Sequence, residues 1–377
     1  MWVTCLQENL SKGLATVGRA VASRATLPVT QNVLIQTDQG RLKLTATNLE
    51  IAISTWIGGQ IEKEGAVTIP ARMLTDFVNS LPAEKVEIDL VNEPKGIHIR
   101  CANFEATING TDAGEFPPIP SVDDGASINI PGDTLRGALE RVVFSAATDD
   151  SRPALTGVNV DITEDSLTLA AADGFRMSVE RTELRDGPAD EISCIVPART
   201  MSELQRMLTD PSGEVEFTIT DARTQALFRL ANIELVTQLV QGTFPDYEKI
   251  MPVSHNTRAS IDLQRMLQAA RAASVFARDG SGIIRLVMAP GASGDEGSVS
   301  VSSRAEEMGD NKGVVTATVE GDESKIAFNS RFLMDVLNVI RGDDVILETT
   351  TPSSPGLFRS DKLAGYSHVI MPMYVQW

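Results

Sequence analysis

The sequence contains one structural unit written three times, and this repeat limits the possible folds more than any other feature. Residues 69–90 read IPARMLTDFVNSLPAEKVEIDL, and comparable stretches occupy 196–219 and 328–349. Each has Pro or Asn, then a small residue and Arg, an amphipathic segment, a polar turn and an alternating apolar–polar segment. Helical periodicity followed by period-two alternation predicts a helix–turn–strand unit in each copy. The copies start 127 and 132 residues apart, which is the size of a domain rather than of a solenoid repeat.

Each copy also contains an earlier amphipathic segment, so the pattern predicts two helices per copy. The six predicted helices cover 7–24, 71–81, 132–147, 198–209, 261–278 and 330–341. Alternating segments such as LKLTAT and SLTLAAA lie between the two helices of a copy and are typical of strands. The turn-rich stretches PSVDDGAS and PVSHNT read as linkers. The predicted fold class is therefore α+β, with three similar modules over 1–122, 127–252 and 253–377.

The predicted helices are basic although the chain is acidic. They contain 13 Lys or Arg and 7 Asp or Glu, whereas the whole chain has a net charge of −18. One interpretation is that Arg is a good helix former and that Asp collects in turns. The repeat favours another, in which equivalent helices of three modules face one side and attract a polyanion. Such a weak positive excess predicts loose, sequence-independent contacts with phosphates.

Other features narrow the function without naming it. The three cysteines are scattered, which favours free thiols in a reducing compartment, and no signal-peptide layout or membrane-length apolar run occurs. A cytoplasmic protein is therefore predicted. The three histidines show no ligand spacing, and no nucleotide-binding or hydrolase motif is found. We expect no catalytic, metal or cofactor site. A protein-binding scaffold, or a hydrolase using Asp173 and Asp246, remains an alternative.

Six short motifs distributed along the whole chain carry a family resemblance. They are RATLPVTQNVLIQ (24–36), LTATNLEIAI (44–53), SRPALTG (151–157), AADGFRMSV (171–179), QGTFPDYEKIMP (241–252) and VIMPM (369–373). In this order they resemble the bacterial DNA sliding clamps, the beta subunits of DNA polymerase III. The resemblance implies a non-enzymatic processivity factor. It implies a head-to-tail homodimeric ring around duplex DNA, with two helices of each module on the inner face and the sheets outside.

The resemblance also implies two kinds of binding residue. DNA contacts are expected from Arg24 and Arg152, and helix placement adds a further set of cations: Lys12, Arg19, Arg72, Arg141, Arg199, Arg206, Arg265, Arg271 and Arg278. The replicative polymerase, the clamp loader and repair polymerases are expected to insert short linear motifs into a hydrophobic cleft between the middle and last modules. The cleft positions are Leu155, Ala172, Gly174, Phe175, Arg176, Met177, Pro245, Lys249, Ile250, Val369, Met371, Pro372 and Met373.

The apolar end of the chain fits this cleft. Flexible methionines can repack around different peptides, and Pro372 stops further strand pairing. The chain departs from the family pattern at Ala172, where Thr is common, and at Phe175, where His or another aromatic residue is usual. Its ending, 374–377, is also two residues longer than usual.

Overall fold

The computed structural model describes residues 1–22, 27–120, 122, 125–184, 187–188, 190–292 and 296–377. Arg24, a predicted DNA contact, lies outside the described residues, as do 121, 123 and 124 of the first predicted linker. The chain divides into two compact units, which we call unit 1 (1–133 and 202–239) and unit 2 (134–201 and 240–377). The boundaries of the three modules stay a prediction.

The described residues form six α-helices, all at predicted positions. These are α1 (Gln7–Val17), α2 (Ala71–Ser80), α3 (Gly132–Val142), α4 (Ala198–Met207), α5 (Leu263–Arg278) and α6 (Ser330–Val339). Short 3-10 turns cover Gly18–Ala20, Pro28–Gln31, Ala113–Glu115, Val143–Ser145 and Pro153–Thr156. With the sheets described next, the fold is α+β, as predicted.

The strands are numbered in chain order. Those up to the middle of the chain are β1 (Trp2–Leu6), β2 (Asn32–Asp38), β3 (Arg41–Thr47), β4 (Ile51–Ile57), β5 (Gly59–Lys63), β6 (Ala66–Pro70), β7 (Lys85–Asn92), β8 (Lys95–Cys101), β9 (Phe104–Asn109), β10 (Gly125–Pro131), β11 (Gly157–Ile162), β12 (Ser166–Ala172) and β13 (Arg176–Glu183). The others are β14 (Ile192–Pro197), β15 (Glu214–Thr220), β16 (Gln225–Leu230), β17 (Ile233–Gln238), β18 (Thr257–Asp262), β19 (Ile283–Ala289), β20 (Gly297–Ala305), β21 (Gly309–Gly321), β22 (Ser324–Asn329), β23 (Asp344–Thr349), β24 (Gly356–Arg359) and β25 (Tyr366–Ile370).

Unit 1 contains two antiparallel sheets with α1 and α2 packed against them. The strand orders are β5-β1-β7-β8-β9 and β10-β15-β16-β17-β4-β3-β2-β6. Helix α1 buries Leu10, Leu14 and Val17, which share one face because they are four and three residues apart. Gly13 lets this face approach β3 closely, since a Cβ there would come within 2.9 Å of Leu44 Cδ1.

Among the described residues, unit 2 contains one antiparallel sheet of twelve strands. Helices α5 and α6 pack against the strands of this sheet that come last in the chain. The strand order is β14-β11-β12-β13-β25-β24-β23-β18-β21-β20-β19-β22. The Asp262 side chain caps α5 by accepting a hydrogen bond from the Arg265 N–H at 2.8 Å. The buried stripe of α5 is rich in alanine, including Ala270, Ala273 and Ala277, which brings the helix close to the sheet. Its opposite side is left to solvent.

Two helices are shorter than predicted by five residues or more, whereas the others differ by one or two residues. Helix α1 ends at Val17 rather than at residue 24, because the chain tightens into a 3-10 turn and Val21 is already extended. Helix α3 ends at Val142 rather than at residue 147. Ala146 is extended there, which lets the Ala147 N–H donate to the Leu155 carbonyl oxygen at 2.8 Å. The early end of α3 therefore allows the hydrogen bond that holds the SRPALTG segment (151–157) in place.

Candidate functional site: an apolar groove and exposed cations

An apolar groove forms in unit 2 where β13 pairs with β25. Its floor consists of buried side chains that belong to one hydrophobic cluster: Leu155, Ala172, Met177 and Val369. Met177 lies opposite Val369 in the antiparallel register, so the turn before β13 and the end of β25 meet at this point. The sequence-predicted cleft residues from three separate segments are thus brought together.

The rim of the groove is apolar and open to solvent. The exposed fractions are 62 % for Phe175, 43 % for Ile250, 41 % for Met371 and 38 % for Met373. Pro245 and Lys249 are also exposed, and Pro372 is partly buried. We call the four floor residues and these four apolar rim residues the partner groove. Large apolar side chains above an apolar floor are typical of a site that binds another apolar group.

The first lip of the partner groove is a tight turn. The Asp173 Oδ1 atom accepts hydrogen bonds from the N–H groups of Phe175 at 2.9 Å and Arg176 at 3.0 Å. Gly174 has a φ of +92°, and a Cβ at this position would come within 2.6 Å of an Arg152 guanidinium nitrogen. Arg152 also donates to the Asp173 carbonyl oxygen at 2.9 Å. Glycine is favoured here by the left-handed backbone conformation, and a Cβ would also force the Arg152 guanidinium to shift.

Arg176 is largely buried, which the sequence did not suggest. It is only 7 % exposed, and its guanidinium donates to Asp173 Oδ2 at 3.1 Å, Asp335 Oδ2 at 2.6 Å and the Phe144 carbonyl oxygen at 2.7 Å. It also lies 4.5 Å from the centroid of the Phe332 ring. These partners are all within the protein, so Arg176 supports the first lip, and its direct contact with a ligand stays a prediction.

The second lip is the segment between 243 and 252, which crosses the sheet of unit 2. Tyr247 packs against the floor cluster together with Phe244 and Met251. Its hydroxyl donates to Asp161 Oδ2 on β11 at 3.2 Å, and burial, reinforced by the Asp161 charge, raises the pKa of Tyr247 to about 12. Phe244, Tyr247 and Met251 were not predicted as site residues. The aromatic–proline turn was the available sequence signal.

The two aspartates considered for a hydrolase already have partners. Asp173 forms the first lip, and Asp246 forms an ion pair with Lys249 on the second lip, at 2.6 Å. The hydrogen bond from Lys249 holds the pKa of Asp246 below its ordinary value. Within the described ranges, no group of three or more His, Cys, Asp or Glu residues could hold a metal ion. None of the helices described is long and apolar enough to cross a bilayer.

The last residues of the chain form the third lip. The Met371 N–H donates to the Phe175 carbonyl oxygen at 2.8 Å, which joins the third lip to the first. The Met373 N–H donates to the Ala327 carbonyl oxygen on β22, also at 2.8 Å. Beyond this point Tyr374 is 92 % exposed and Trp377 is 50 % exposed. The longer tail therefore leaves the groove rather than covering it.

A buried histidine lies beneath the groove on β25. His368 is fully buried, and its Nδ1 atom is 2.7 Å from the Ser178 hydroxyl oxygen. Among the described residues its Nε2 atom has no hydrogen-bond partner. Burial, with a smaller contribution from the Arg176 charge, lowers the pKa of His368 from 6.5 to about 3. The imidazole is therefore neutral in the folded protein at any moderately acidic pH.

This burial predicts an acid sensitivity of unit 2. Between pH 6.5 and about 4.5 the unfolded chain protonates His368 and the folded chain does not. Stability should therefore fall with decreasing pH, by about 1.4 kcal/mol for each pH unit from this residue alone. The free energy of unfolding should be measured with urea at several pH values. Its slope against pH should be smaller by this amount in His368→Gln than in the wild type. His255→Gln, which replaces an exposed histidine of the same unit, is the control. Equal slopes in the wild type and His368→Gln would contradict the assignment.

The predicted DNA-binding cations differ in how free they are. Most lie on exposed helix positions: Lys12, Arg19, Arg72, Arg199, Arg206, Arg265, Arg271 and Arg278. Arg19 and Arg206 both pair with Glu203, at 3.0 Å and 2.6 Å. Arg72 is 95 % exposed and its only ion pair among the described residues is a 3.7 Å contact with Asp76. The predicted DNA-binding cations therefore include several that face solvent and form only weak ion pairs within the described part of the chain.

Arg141 is not a free cation. Its side chain is 13 % exposed and forms two hydrogen bonds with Glu180, at 2.7 Å and 2.9 Å, so it stabilises unit 2. Position on a predicted helix was thus not enough to identify a free charge. Arg152, which was predicted from its loop, is exposed and donates to the first lip, and its contact with DNA stays a prediction.

The α+β units, the partner groove and the exposed helix cations define a protein that presents an apolar binding site and a separate set of exposed cations. Three sequence profiles match the chain in order: the N-terminal domain of the DNA polymerase III beta subunit over 1–120, the central domain over 129–246 and the C-terminal domain over 248–374. The chain therefore belongs to the DNA polymerase III beta subunit family.

Similar proteins agree with this assignment along the full length. The chain is 29 % identical to the beta sliding clamp of Bacillus subtilis over 99 % of both chains, and 28 % identical to that of Synechococcus elongatus over the whole of both. The solved sliding clamp from Bacillus subtilis is 28 % identical and superimposes with a TM-score of 0.93, with both chains fully covered. The sliding clamp from Pseudomonas aeruginosa bound to griselimycin, 26 % identical, gives 0.91 over both full chains.

Proposed function

We propose that two copies of this chain join head to tail in a ring that encircles duplex DNA and binds partner proteins through the partner groove. As a member of the beta subunit family, the chain is a polymerase processivity factor and has no catalytic role of its own. Its three modules would span 1–122, 127–252 and 253–377, and it would act in the cytoplasm. The replicative polymerase, the clamp loader and repair polymerases are the proposed partners.

The observation that carries the peptide-binding role is the exposure of the rim above a buried floor. Phe175, Ile250 and Met371 remain open to solvent, although each is within two residues in sequence of a side chain that belongs to the buried floor cluster or packs against it. Covering such side chains with a partner's Leu or Phe would remove apolar surface from water on both molecules. A few buried anchors then carry most of the binding free energy. This supports short linear motifs as the ligands.

Unpaired strand edges support the head-to-tail dimer. In unit 1, β9 ends the five-stranded sheet and carries Phe104, which is 53 % exposed. In unit 2, residues 309–316 of β21 pair with β20 on one side, and among the described strands none pairs on the other. Val314 on this segment is 65 % exposed. Pairing of the two edges from different copies would satisfy both backbones and cover both side chains.

Loose contact with DNA is supported by the exposed cations of α5. Arg265 has no ion-pair partner among the described residues, Arg271 reaches only Asn338 at 3.5 Å, and Arg278 lies 3.9 Å from Asp279. These guanidinium groups can exchange between phosphates without first breaking a strong internal pair. A ring does not require tight binding, because a closed circle of protein cannot leave a closed circle of DNA.

Retention on DNA of different topology tests the proposal. The protein should be loaded by a clamp loader with ATP onto a nicked circular duplex, and then washed at high salt. The wild type should remain on the circle and leave after the DNA is cut to a linear form. Phe104→Arg should elute as a single chain of 40.6 kDa, instead of twice that mass, and should not be retained. Retention that is independent of DNA topology would refute the ring and favour a conventional DNA binder, whereas no retention on either form of DNA would favour a protein-only scaffold.

Removal of three cations from α5 is expected to weaken DNA binding. The variant Arg265→Ala/Arg271→Ala/Arg278→Ala should bind a short duplex about tenfold or more weakly at low salt. The slope of log affinity against log salt should fall by about 0.9 for each phosphate that the variant no longer neutralises. The control Lys325→Ala/Arg359→Ala/Lys362→Ala removes the same charge from exposed strand and turn positions of unit 2. If both triple variants weaken binding equally, net charge rather than α5 is responsible.

A further inference from the structure

Unit 1 contains a turn with the same hydrogen bonds as the first lip of the partner groove. The Asn48 Oδ1 atom accepts from the N–H groups of Glu50 at 3.0 Å and Ile51 at 2.9 Å, as Asp173 Oδ1 does in unit 2. The Asn48 N–H donates to the Ile51 carbonyl oxygen at 3.2 Å. In the same way, the Asp173 N–H donates to the Arg176 carbonyl oxygen at 3.2 Å. The turn leads into β4, which pairs with β17, just as β13 pairs with β25.

The two turns differ in the residue at their left-handed position. Gly174 occupies it in unit 2 with a φ of +92°, whereas unit 1 has Leu49 with a φ of +77°. A leucine in this conformation is strained, and glycine would adopt it freely. The Leu49 side chain is nevertheless 49 % exposed, so its packing inside the protein does not account for the strain. Strained backbone at an exposed apolar side chain is an indication of function.

The surroundings of Leu49 form a groove that is crossed by the proline-rich segment 116–120. Ile119 of this segment packs on a small apolar floor formed by Ala52, Leu227 and Val236. An open cavity lies on each side of the crossing, one of about 370 Å³ and one of about 310 Å³. Leu49 borders the smaller cavity. Segment 116–120 thus crosses the floor of this groove as segment 243–252 crosses the floor of the partner groove. It leaves an open cavity on each side.

The larger cavity has a cationic rim. Lys43 and Arg229 both line it, together with Glu234. Arg229 is already paired, with Glu234 at 3.0 Å and Glu216 at 2.8 Å. Among the described residues, the partners of the Lys43 ammonium group are Asp38 at 4.0 Å and the face of the Trp56 ring at 4.4 Å. Lys43 is therefore the cation of this rim that can accept a further carboxylate.

We propose that this groove of unit 1 is a second peptide-binding site. Its occupant is an extended peptide of a partner protein, with an aliphatic anchor against Leu49 and the apolar floor and an acidic side chain beside Lys43. The inference rests on the proposed role of the partner groove, because the same framework is taken to serve the same type of ligand. The unit 1 floor is smaller than that of the partner groove, so we expect it to favour a Leu, Ile or Val anchor over a larger aromatic one.

Methyl NMR of the full chain with the acetylated, amidated peptide Gly-Asp-Leu-Leu-Gly tests this second site. In protein labelled at Ile, Leu and Val methyl groups, peptide up to about 5 mM should shift the signals of Ile51, Leu227 and Val236 in unit 1. The partner groove is read separately from Leu155 and Val369. Shifts confined to unit 2 would overturn the second site and leave the proposed function intact. Shifts confined to unit 1 would count against the proposed function instead.

Two reciprocal variants separate binding from folding. Leu49→Gly relieves the left-handed strain, so its melting temperature should be no lower than that of the wild type, yet it should weaken unit 1 binding about fivefold or more. Ile250→Gly, at an exposed rim position of unit 2, should weaken only the partner groove. Replacement of Asp by Asn in the peptide should reduce unit 1 binding through the loss of the Lys43 contact. Unchanged unit 1 affinity in Leu49→Gly, or for the Asn peptide, would refute the proposed recognition.

Discussion

A chain truncated after Ile370 is expected to lose about a hundredfold or more in affinity for partner peptides while keeping the fold of unit 2. The deletion removes Met371 and Met373 from the rim of the partner groove. A bound peptide is expected to bury both side chains, and apolar contacts that become fully buried on binding often contribute about 2 kcal/mol or more each. Strand β25 ends at Ile370, so its pairing with β13 and β24 is retained. Within the described part of the chain, the deleted backbone makes only the two hydrogen bonds that anchor the third lip.

A second truncation, after Met373, is the matched control. It keeps both lip hydrogen bonds and removes only the last four residues, of which Tyr374 is almost fully exposed. Its peptide affinity should stay within about twofold of the wild type, because exposed residues outside the buried centre contribute little. Fluorescence anisotropy with a labelled peptide carrying Leu and Phe anchors measures both variants. Similar affinities of the two truncated chains would remove the third lip from the site.

Much of this groove could be predicted because its segments have local sequence signals. The motifs AADGFRMSV and VIMPM mark the turn before β13 and the end of β25, and an uncharged, proline-interrupted ending indicates that residues 369–373 contact something apolar. The family resemblance joined these segments into one site. The six helices were likewise predicted from 3.6-residue periodicity, although their ends depend on tertiary hydrogen bonds such as that between Ala147 and Leu155.

The environments of individual charges could not be predicted in the same way. Arg176 is buried because it pairs with Asp335 and two aromatic rings cover its guanidinium. Asp335 lies 159 residues away in sequence, so no local pattern indicates this pairing. An arginine is ordinarily exposed, so local pattern gave the opposite expectation. Arg141 likewise resembles the other helix arginines in sequence, and only its pairing with Glu180 on β13 distinguishes it. The left-handed Leu49 also has no sequence signal, since leucine is rare in that conformation.

Replacement of Arg176 by Met is expected to produce the largest loss of stability in unit 2. The change would leave the Phe144 carbonyl oxygen without its donor and would leave Asp335 and Asp173 without their buried cation. Breaking a buried pair in this way costs about 3 kcal/mol or more, which corresponds to about 5–10 °C in melting temperature. Differential scanning calorimetry measures this. Arg181→Met, on the same strand, removes an arginine that is 65 % exposed and 3.9 Å from its partner, so it should change stability by less than about 1 kcal/mol.

The double variant Arg176→Met/Asp335→Leu distinguishes a charge network from simple packing. If the cost of Arg176→Met comes mainly from carboxylates left unpaired, removal of Asp335 should recover part of it, because apolar replacement of both members of a buried pair is often nearly neutral. If instead the loss is one of volume beside Phe332, the second substitution should add to it. The partner groove provides an independent readout. Arg176 holds the second oxygen of Asp173, whose Oδ1 atom forms the first lip. The single variant should therefore weaken peptide binding, and Arg181→Met should leave it unchanged.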